Sequence, residues 1–270
     1  MIDNKFKVID AHCHIYPDKI ASKAAGATDN FYSVHGFGDG TLSMLMSEGK
    51  KAGTDSFIVQ SVATTPKQVS SINNFIAREV AENEGILTGL GTLHPDSEDI
   101  ERDVDEIISL GLHGVKLHPD IQGFKIDDYR CLKIYEQCEK KHLPILMHTG
   151  DSRYDNSNPN RLVPILEIYT GLTVIGAHFG GWSIWEEASK KLNGIPNLYV
   201  DCSSTFYWIK DNKIIMEMIQ RYGTDRVLYG TDYPMWSPQA EMERFLTLPL
   251  TDEEKKLILS ENAKKVYNIT

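Results

Sequence analysis

The chain has 270 residues, 41% of them hydrophobic and 24% charged, and a formal charge of −10. At ~150 residues per domain this is one large domain or two small ones, and α/β barrels of this size occur as one. The apolar fraction excludes global disorder, and the acidic balance argues against nucleic acid or an anionic membrane as partner, because their phosphates need a clustered basic surface.

In chain order, the first β-rich run is FKVIDAHCH (6–14). Residues 15–40 follow as an insertion, expected to form a lid and specificity loop. The next runs are SFIVQSVAT (56–64), ILTGLGTLH (86–94) and HGVKLHP (113–119), then PILMHTG (144–150) and LTVIGAHFG (172–180). NLYVDCSS (197–204) and RVLYGTDYP (226–234) complete the set. All are rich in Val, Ile, Leu and Tyr and bounded by Gly, Pro or Asn, as strands are. Helical patterns lie between them: one opens at Ser97 and stops at Gly111, and another ends at Gly223. Ser237-Pro238 reads as an N-cap with proline at the first helical position, and Thr251 with Glu254 as a capping box. After the first gap the strand starts are 30, 27, 31, 28, 25 and 29 residues apart, one strand-helix unit per step. Eight such units predict a (β/α)8 TIM barrel in a single domain spanning 1–270. A doubly wound sheet is the weaker alternative, since no G-x-G-x-x-G follows an early strand. The first gap exceeds the barrel step by roughly 20 residues, which puts the insertion on the C-terminal face where barrel enzymes work.

Cys13, Cys131, Cys138 and Cys202 form no C-x-x-C pair and no disulfide framework. No apolar segment resembles a secretion signal, and no run reaches ~18 apolar residues. A soluble cytoplasmic protein is expected; self-association stays open.

Six of the nine histidines, His12, His14, His94, His118, His148 and His178, end expected strands. Alternation projects His12 and His14 together. Barrel closure brings the last strand, ending in GTDYP, beside the first, so His12, His14, His148, His178 and Asp232 converge at one mouth. A lone strand histidine is ordinarily a hydrogen-bonded core residue, but five such residues on one rim exceed what core filling requires. Imidazole and carboxylate ligands suit zinc first, and manganese or iron as well. Three histidines and an aspartate would leave room for a water whose pKa the ion lowers.

DAHCHIYP, GVKLHP, MHTGD, IGAHFGG and GTDYP together resemble the amidohydrolase superfamily, and more closely its amidohydrolase-related branch of metal-dependent barrel hydrolases and decarboxylases. The resemblance runs along essentially the whole chain. It implies that His12, His14, His148 and Asp232 hold the metal, that Asp232 also accepts a proton, and that His178 serves as acid/base or holds a second ion. Lys116 turns inward with His118, either as a carboxylated bridge, as in dinuclear branches, or, preferentially, as an ammonium for a substrate anion.

Arg153, Tyr154 and Arg161 follow His148 on the catalytic face and are expected, with Lys116 and His118, to bind a small anionic substrate. A guanidinium forks onto carboxylate with two parallel bonds. Trp182 and Trp236 are candidate pocket walls, while Trp185 is expected to pack. The expected activity is metal-assisted hydrolysis of an amide, ester or lactone in a small carboxylated molecule. The alternative is non-oxidative decarboxylation of an aromatic or enoic acid, which would use the same ligands.

Overall fold

The structure is a computed structural model and describes residues 5–269. Among the described residues nine short parallel strands are interleaved with helices, except that β3 and β4 follow each other directly: β1 (Ile9–His14), β2 (Ser56–Gln60), β3 (Leu87–Gly89), β4 (Gly91–Thr92), β5 (Val115–Leu117), β6 (Ile145–Met147), β7 (Val174–Gly176), β8 (Leu198–Asp201) and β9 (Val227–Leu228). They pair in the orders β1-β2-β3 and β4 through β9, and a parallel bridge between Cys13 and Tyr233 closes the ring. The TIM barrel of the sequence reading is therefore present, with one departure. The third expected strand, 86–94, is broken at Leu90. Leu90 N–H donates to Val59 on one side, whereas Gly91 N–H donates to Gly114 on the other. One barrel stave thus pairs with its two neighbours through different residues. A Cβ on Gly91 would come within 2.6 Å of the Ile107 side chain, so only glycine lets the covering helix approach here.

Alternation sorts the apolar side chains into two cores. Ile9, Ile58, Leu90, Leu146, Ile175 and Leu228 fill the barrel interior, with Tyr267 packed among them. Phe57, Val59, Val115, Met147, Val174 and Val200 face outward and bury the apolar stripes of the surrounding helices. Those helices are α1 (Asp18–Tyr32), α2 (Leu42–Lys51), α3 (Val69–Glu82), α4 (Ile100–Ser109), α5 (Pro119–Gln122), α6 (Leu132–Lys140), α7 (Pro159–Ile168), α8 (Trp185–Lys191), α9 (Asn212–Tyr222), α10 (Pro238–Leu246), α11 (Asp252–Lys256) and α12 (Asn262–Tyr267). The two caps read from sequence form: Ser237 accepts from Ala240 N–H, and Thr251 and Glu254 make a reciprocal capping box. The insertion is largely helical, since α1 occupies most of 15–40, and α2 is the ordinary barrel helix after β1. Among the described residues no helix is long and apolar enough to cross a membrane.

Candidate active site

Register in β1 slips between Asp10 and Cys13, a bulge next to the site. Beyond it His12 and His14 turn into the barrel mouth while Cys13 packs outward. Asp10, buried below them, accepts from Thr231 Oγ1 at 2.6 Å and Thr231 N–H at 3.0 Å. That pin fixes the loop carrying Asp232, whose own N–H donates to the His12 carbonyl at 2.9 Å. Gly230 is the third anchor: a Cβ there would lie 2.9 Å from His12 Cβ. The expected last strand is shorter than read, because β9 stops at Leu228 and Asp232 sits in a turn with φ of 61°. His178 is also left-handed, at φ of 58°, just past β7. Left-handed backbone at non-glycine residues costs of order 1–3 kcal/mol and clusters where side chains must be aimed.

His12, His14 and Asp232 bring their ligand atoms within 4.8 Å of one another. His12 Nε2 lies 3.2 Å from His14 Nε2 and 3.3 Å from Asp232 Oδ1, which is 3.5 Å from His14 Nε2. His12 Nδ1 faces Asp201 Oδ2 at 2.9 Å, so its proton points to that carboxylate and the Nε2 lone pair is turned into the mouth, where an ion would take the place of the Lys116 ammonium. Asp201 is itself held, accepting from His178 N–H, Ser203 N–H and Ser203 Oγ–H. Ser204 Oγ–H donates to Asp232 Oδ2 at 2.5 Å and accepts from Trp236 Nε1–H at 2.6 Å, turning Oδ1 towards the histidines. Burial drives His12, His14, His118 and His148 well below the usual imidazole range and His178 down to about 4, keeping them neutral, the form that ligates metal. Burial also raises Asp232 and lowers Lys116. The donor set therefore fits a divalent cation.

His148 is in the same pocket but turned differently. Its Nδ1 meets His178 Nε2 at 3.1 Å, and its Nε2 lies 3.4 Å from Tyr32 Oη and 3.7 Å from the buried Asp120 carboxylate. His118 stacks on it, ring centroids 4.0 Å apart and planes nearly parallel at 6°. His118, Asp120 and His148 form another compact donor group, but His118 Nδ1 accepts from Ile121 N–H at 3.3 Å. Its proton is then on Nε2, donated to Tyr32 Oη at 2.8 Å, leaving no lone pair there for an ion.

Lys116 is buried and its Nζ lies 3.1 Å from His12 Nε2, so the inward turn read from β5 holds. Lys116, His118, His148, His178 and Asp232 all line one cavity of about 720 Å³. Trp182 and Trp236 line it too, and Trp185 packs against the core.

Arg153, Tyr154 and Arg161 do not line it. Arg153 Nε and Nη2 donate to Asp151 at 3.0 and 2.7 Å, and Nη1 donates to the Phe31 carbonyl at 2.7 Å. Its guanidinium carbon is 5.1–5.6 Å from the rings of Phe31, Tyr32, Tyr154 and Trp182. Arg161 is spent on Asp127 and on Asp155. Tyr154 is half-exposed and stacks on Phe31. The physical reason is the same for both arginines: nearby aspartates outcompete a distant substrate for the fork. Sequence reasoning missed Tyr32, Asp120 and Asp201. Asp201 ends β8 as the histidines end theirs, a signal that was available; nothing in the insertion marks Tyr32.

The amidohydrolase family model matches residues 9–269. The chain belongs to the amidohydrolase family. The chain is thus a member of an enzyme family built on a TIM barrel, and its His12–His14–Asp232 group suits a divalent metal. Over 200 residues it is 23% identical to a 2-amino-3-carboxymuconate-6-semialdehyde decarboxylase of Dictyostelium discoideum. That match covers 60% of this chain and 55% of the relative, so the chain spans about half the length of the curated relative it matches. Among solved structures it is similar to a TIM-barrel protein of Bordetella bronchiseptica, with TM-score 0.80, 22% identity, and 97% and 98% of the two chains covered. It also resembles a dihydroxybenzoic acid decarboxylase of Polaromonas with bound manganese, at TM-score 0.74 and 15% identity over 97% of each chain. A third is a 2-pyrone-4,6-dicarboxylic acid hydrolase of Pseudomonas putida, described as putative, at TM-score 0.70 and 18% identity over 97% and 98%.

Proposed function

We propose that this member of the amidohydrolase family is a divalent-metal-dependent, non-oxidative decarboxylase of an aromatic or enoic carboxylic acid. The observation that carries the reading is the distribution of charge in the cavity. Lys116, together with the ion that His12, His14 and Asp232 would hold, puts positive charge on the floor, Trp182, Trp208 and Trp236 stand in the walls, and Arg153 and Arg161 are consumed elsewhere. A carboxylate drawn to that floor sheds water against apolar walls, which favours its loss as neutral carbon dioxide once the carbon bearing it has been protonated. The decarboxylase relatives support the same choice.

When bound, the ion supplies positive charge that fixes an anionic oxygen and offsets charge developing in the substrate. Zinc and manganese both suit this donor set. Lys116 adds a second cation beside His12. Asp201 and Ser203 hold His12 and His178 in one orientation. In the step, a proton held by Asp232 is added to the unsaturated carbon that bears the carboxylate, drawing on the π electrons; the bond to the carboxyl carbon then breaks and its electron pair restores the π system. Carbon dioxide leaves and the side chain recovers a proton from water.

Hydrolysis of a carboxylated amide, ester or lactone is the second reading. It is favoured by Asp232 Oδ1, which faces the cluster where a base would take a proton from water. Manganese- and zinc-loaded protein should be screened against aromatic and enoic acids and against carboxylated lactones and amides. Carbon dioxide release supports the decarboxylase. A new carboxylic acid without carbon dioxide overturns it in favour of the hydrolase.

A further inference from the structure

The cavity is far larger than the chemistry on its floor requires. An apolar cavity of ~150 Å³ accommodates benzene, whereas this one has about 720 Å³. Beyond the histidines much of the lining comes from the insertion helix α1 and from helix α3, and this part is called the arm. Ala24 and Ala27 line it from α1, Ile72 and Phe75 from α3, with Val62 after β2 and Ile121 in α5.

Apart from Lys23 of α1 and the Gln68 Nε2 amide, the polar side chains along the arm make local hydrogen bonds. Gln68 Oε1 accepts from Thr64 N–H at 2.8 Å, Thr64 Oγ1–H at 2.9 Å and Thr65 N–H at 3.0 Å. Ser71 Oγ–H donates to the Gln68 carbonyl at 3.0 Å, and Thr28 Oγ1–H to the Ala24 carbonyl at 3.4 Å. These hydrogen bonds are local ones, closing caps and helical turns. Away from Lys23, the arm consequently offers a ligand mainly apolar surface, the reverse of the floor.

We infer that the substrate is an elongated acid, with its carboxylate at the Lys116–histidine floor and an apolar tail lying in the arm between α1 and α3. This rests on the carboxylate-anchoring reading of the floor and goes beyond it by assigning the rest of the molecule. Small residues on α1 make the room: Ala24 and Ala27 face the arm where longer side chains would close it. The tail is aliphatic or aryl-aliphatic, because a polar tail would lose water there without replacement bonds.

The test uses manganese-loaded wild-type protein and a series from benzoate through 4-methyl-, 4-ethyl-, 4-butyl- and 4-hexylbenzoate, with Kd measured by calorimetry. Each fully buried methylene is worth up to about fourfold in affinity. Kd should fall along the series and then plateau where the tail leaves the arm. Ala24→Trp and Ile72→Trp, each checked by thermal melting, should flatten the series while leaving benzoate itself unchanged. Benzoate binding with a flat series in wild type overturns the arm and keeps the anchor. Tail-dependent binding that ignores the metal keeps the arm and overturns the anchor. If no member binds, both fall. If neither folded tryptophan variant alters a steep series, the tail lies elsewhere and the assignment is wrong.

Discussion

Replacing Arg153 separates a substrate-binding arginine from a structural clasp. In the structure its three outward nitrogens serve Asp151 and the Phe31 carbonyl, so it ties the end of α1 to the loop after β6. Arg153→Met removes charge-assisted bonds worth ~1.5–3 kcal/mol each in buried settings. The Arg153 side chain is 36% exposed, so solvent screening brings the expected total loss to about 1–2 kcal/mol. Asp151, with its side chain 0% exposed, keeps the bond from the Arg153 backbone N–H, which survives the substitution. For a domain of this size, Tm should fall by about 2–6 °C, with Asp151→Asn in the Arg153→Met background giving part of it back. Loosening α1 should also weaken ligands without regard to charge. Benzoate and benzamide, titrated into manganese-loaded protein, should lose affinity by similar factors. An unchanged Tm together with a loss of tenfold or more for benzoate alone would refute the clasp and return Arg153 to the substrate.

Two other substitutions probe what holds the site. Glu241 is buried with one oxygen unpartnered among the described residues, and burial, reinforced by Asp232 and Asp10, raises its pKa from 4.5 to about 8. Because the folded value lies above the unfolded one, its cost to stability is absent below pH 4.5, grows as pH rises and levels off near 8. Glu241→Gln should therefore melt progressively above wild type across that window, by at most ~5 kcal/mol, and a gap independent of pH contradicts it. Asp201→Asn leaves His12 without its carboxylate partner and should weaken metal binding ~10–100-fold, read by competition with a chelating dye; unchanged affinity contradicts the orienting role.

The barrel was legible because each stave carries two signals at once, β-rich alternation and a regular spacing to the next. The histidines were legible for a related reason: a strand end on a barrel has a known address. Interior alternation correctly placed His12, His14 and Lys116, although the β1 bulge and the break at Leu90 left no mark in the pattern. Aim was harder than address. His148 reaches the expected mouth, but its ring answers to His178, Tyr32 and Asp120. Tyr32 was invisible since its place depends on how an insertion docks. The arginines carried an unread clue. Asp151-Ser152-Arg153 forms the same fork as Asp128-Tyr129-Arg130, whose Nε and Nη2 donate to Asp128 at 3.0 and 2.7 Å. An aspartate two residues before an arginine in a turn satisfies it locally.

The most direct test of the account is elemental analysis of protein reconstituted with manganese or zinc and freed of excess ion, comparing wild type with His12→Ala and Asp232→Asn. These two residues and His14 converge on one point with neutral imidazoles and an inward-facing carboxylate oxygen. Wild type should retain at least one equivalent of divalent metal. Both variants should lose most of it while their metal-free forms still show the cooperative melting and circular dichroism of a folded barrel. Full occupancy in either folded variant, or none in wild type, would contradict the metal centre on which the proposed chemistry depends.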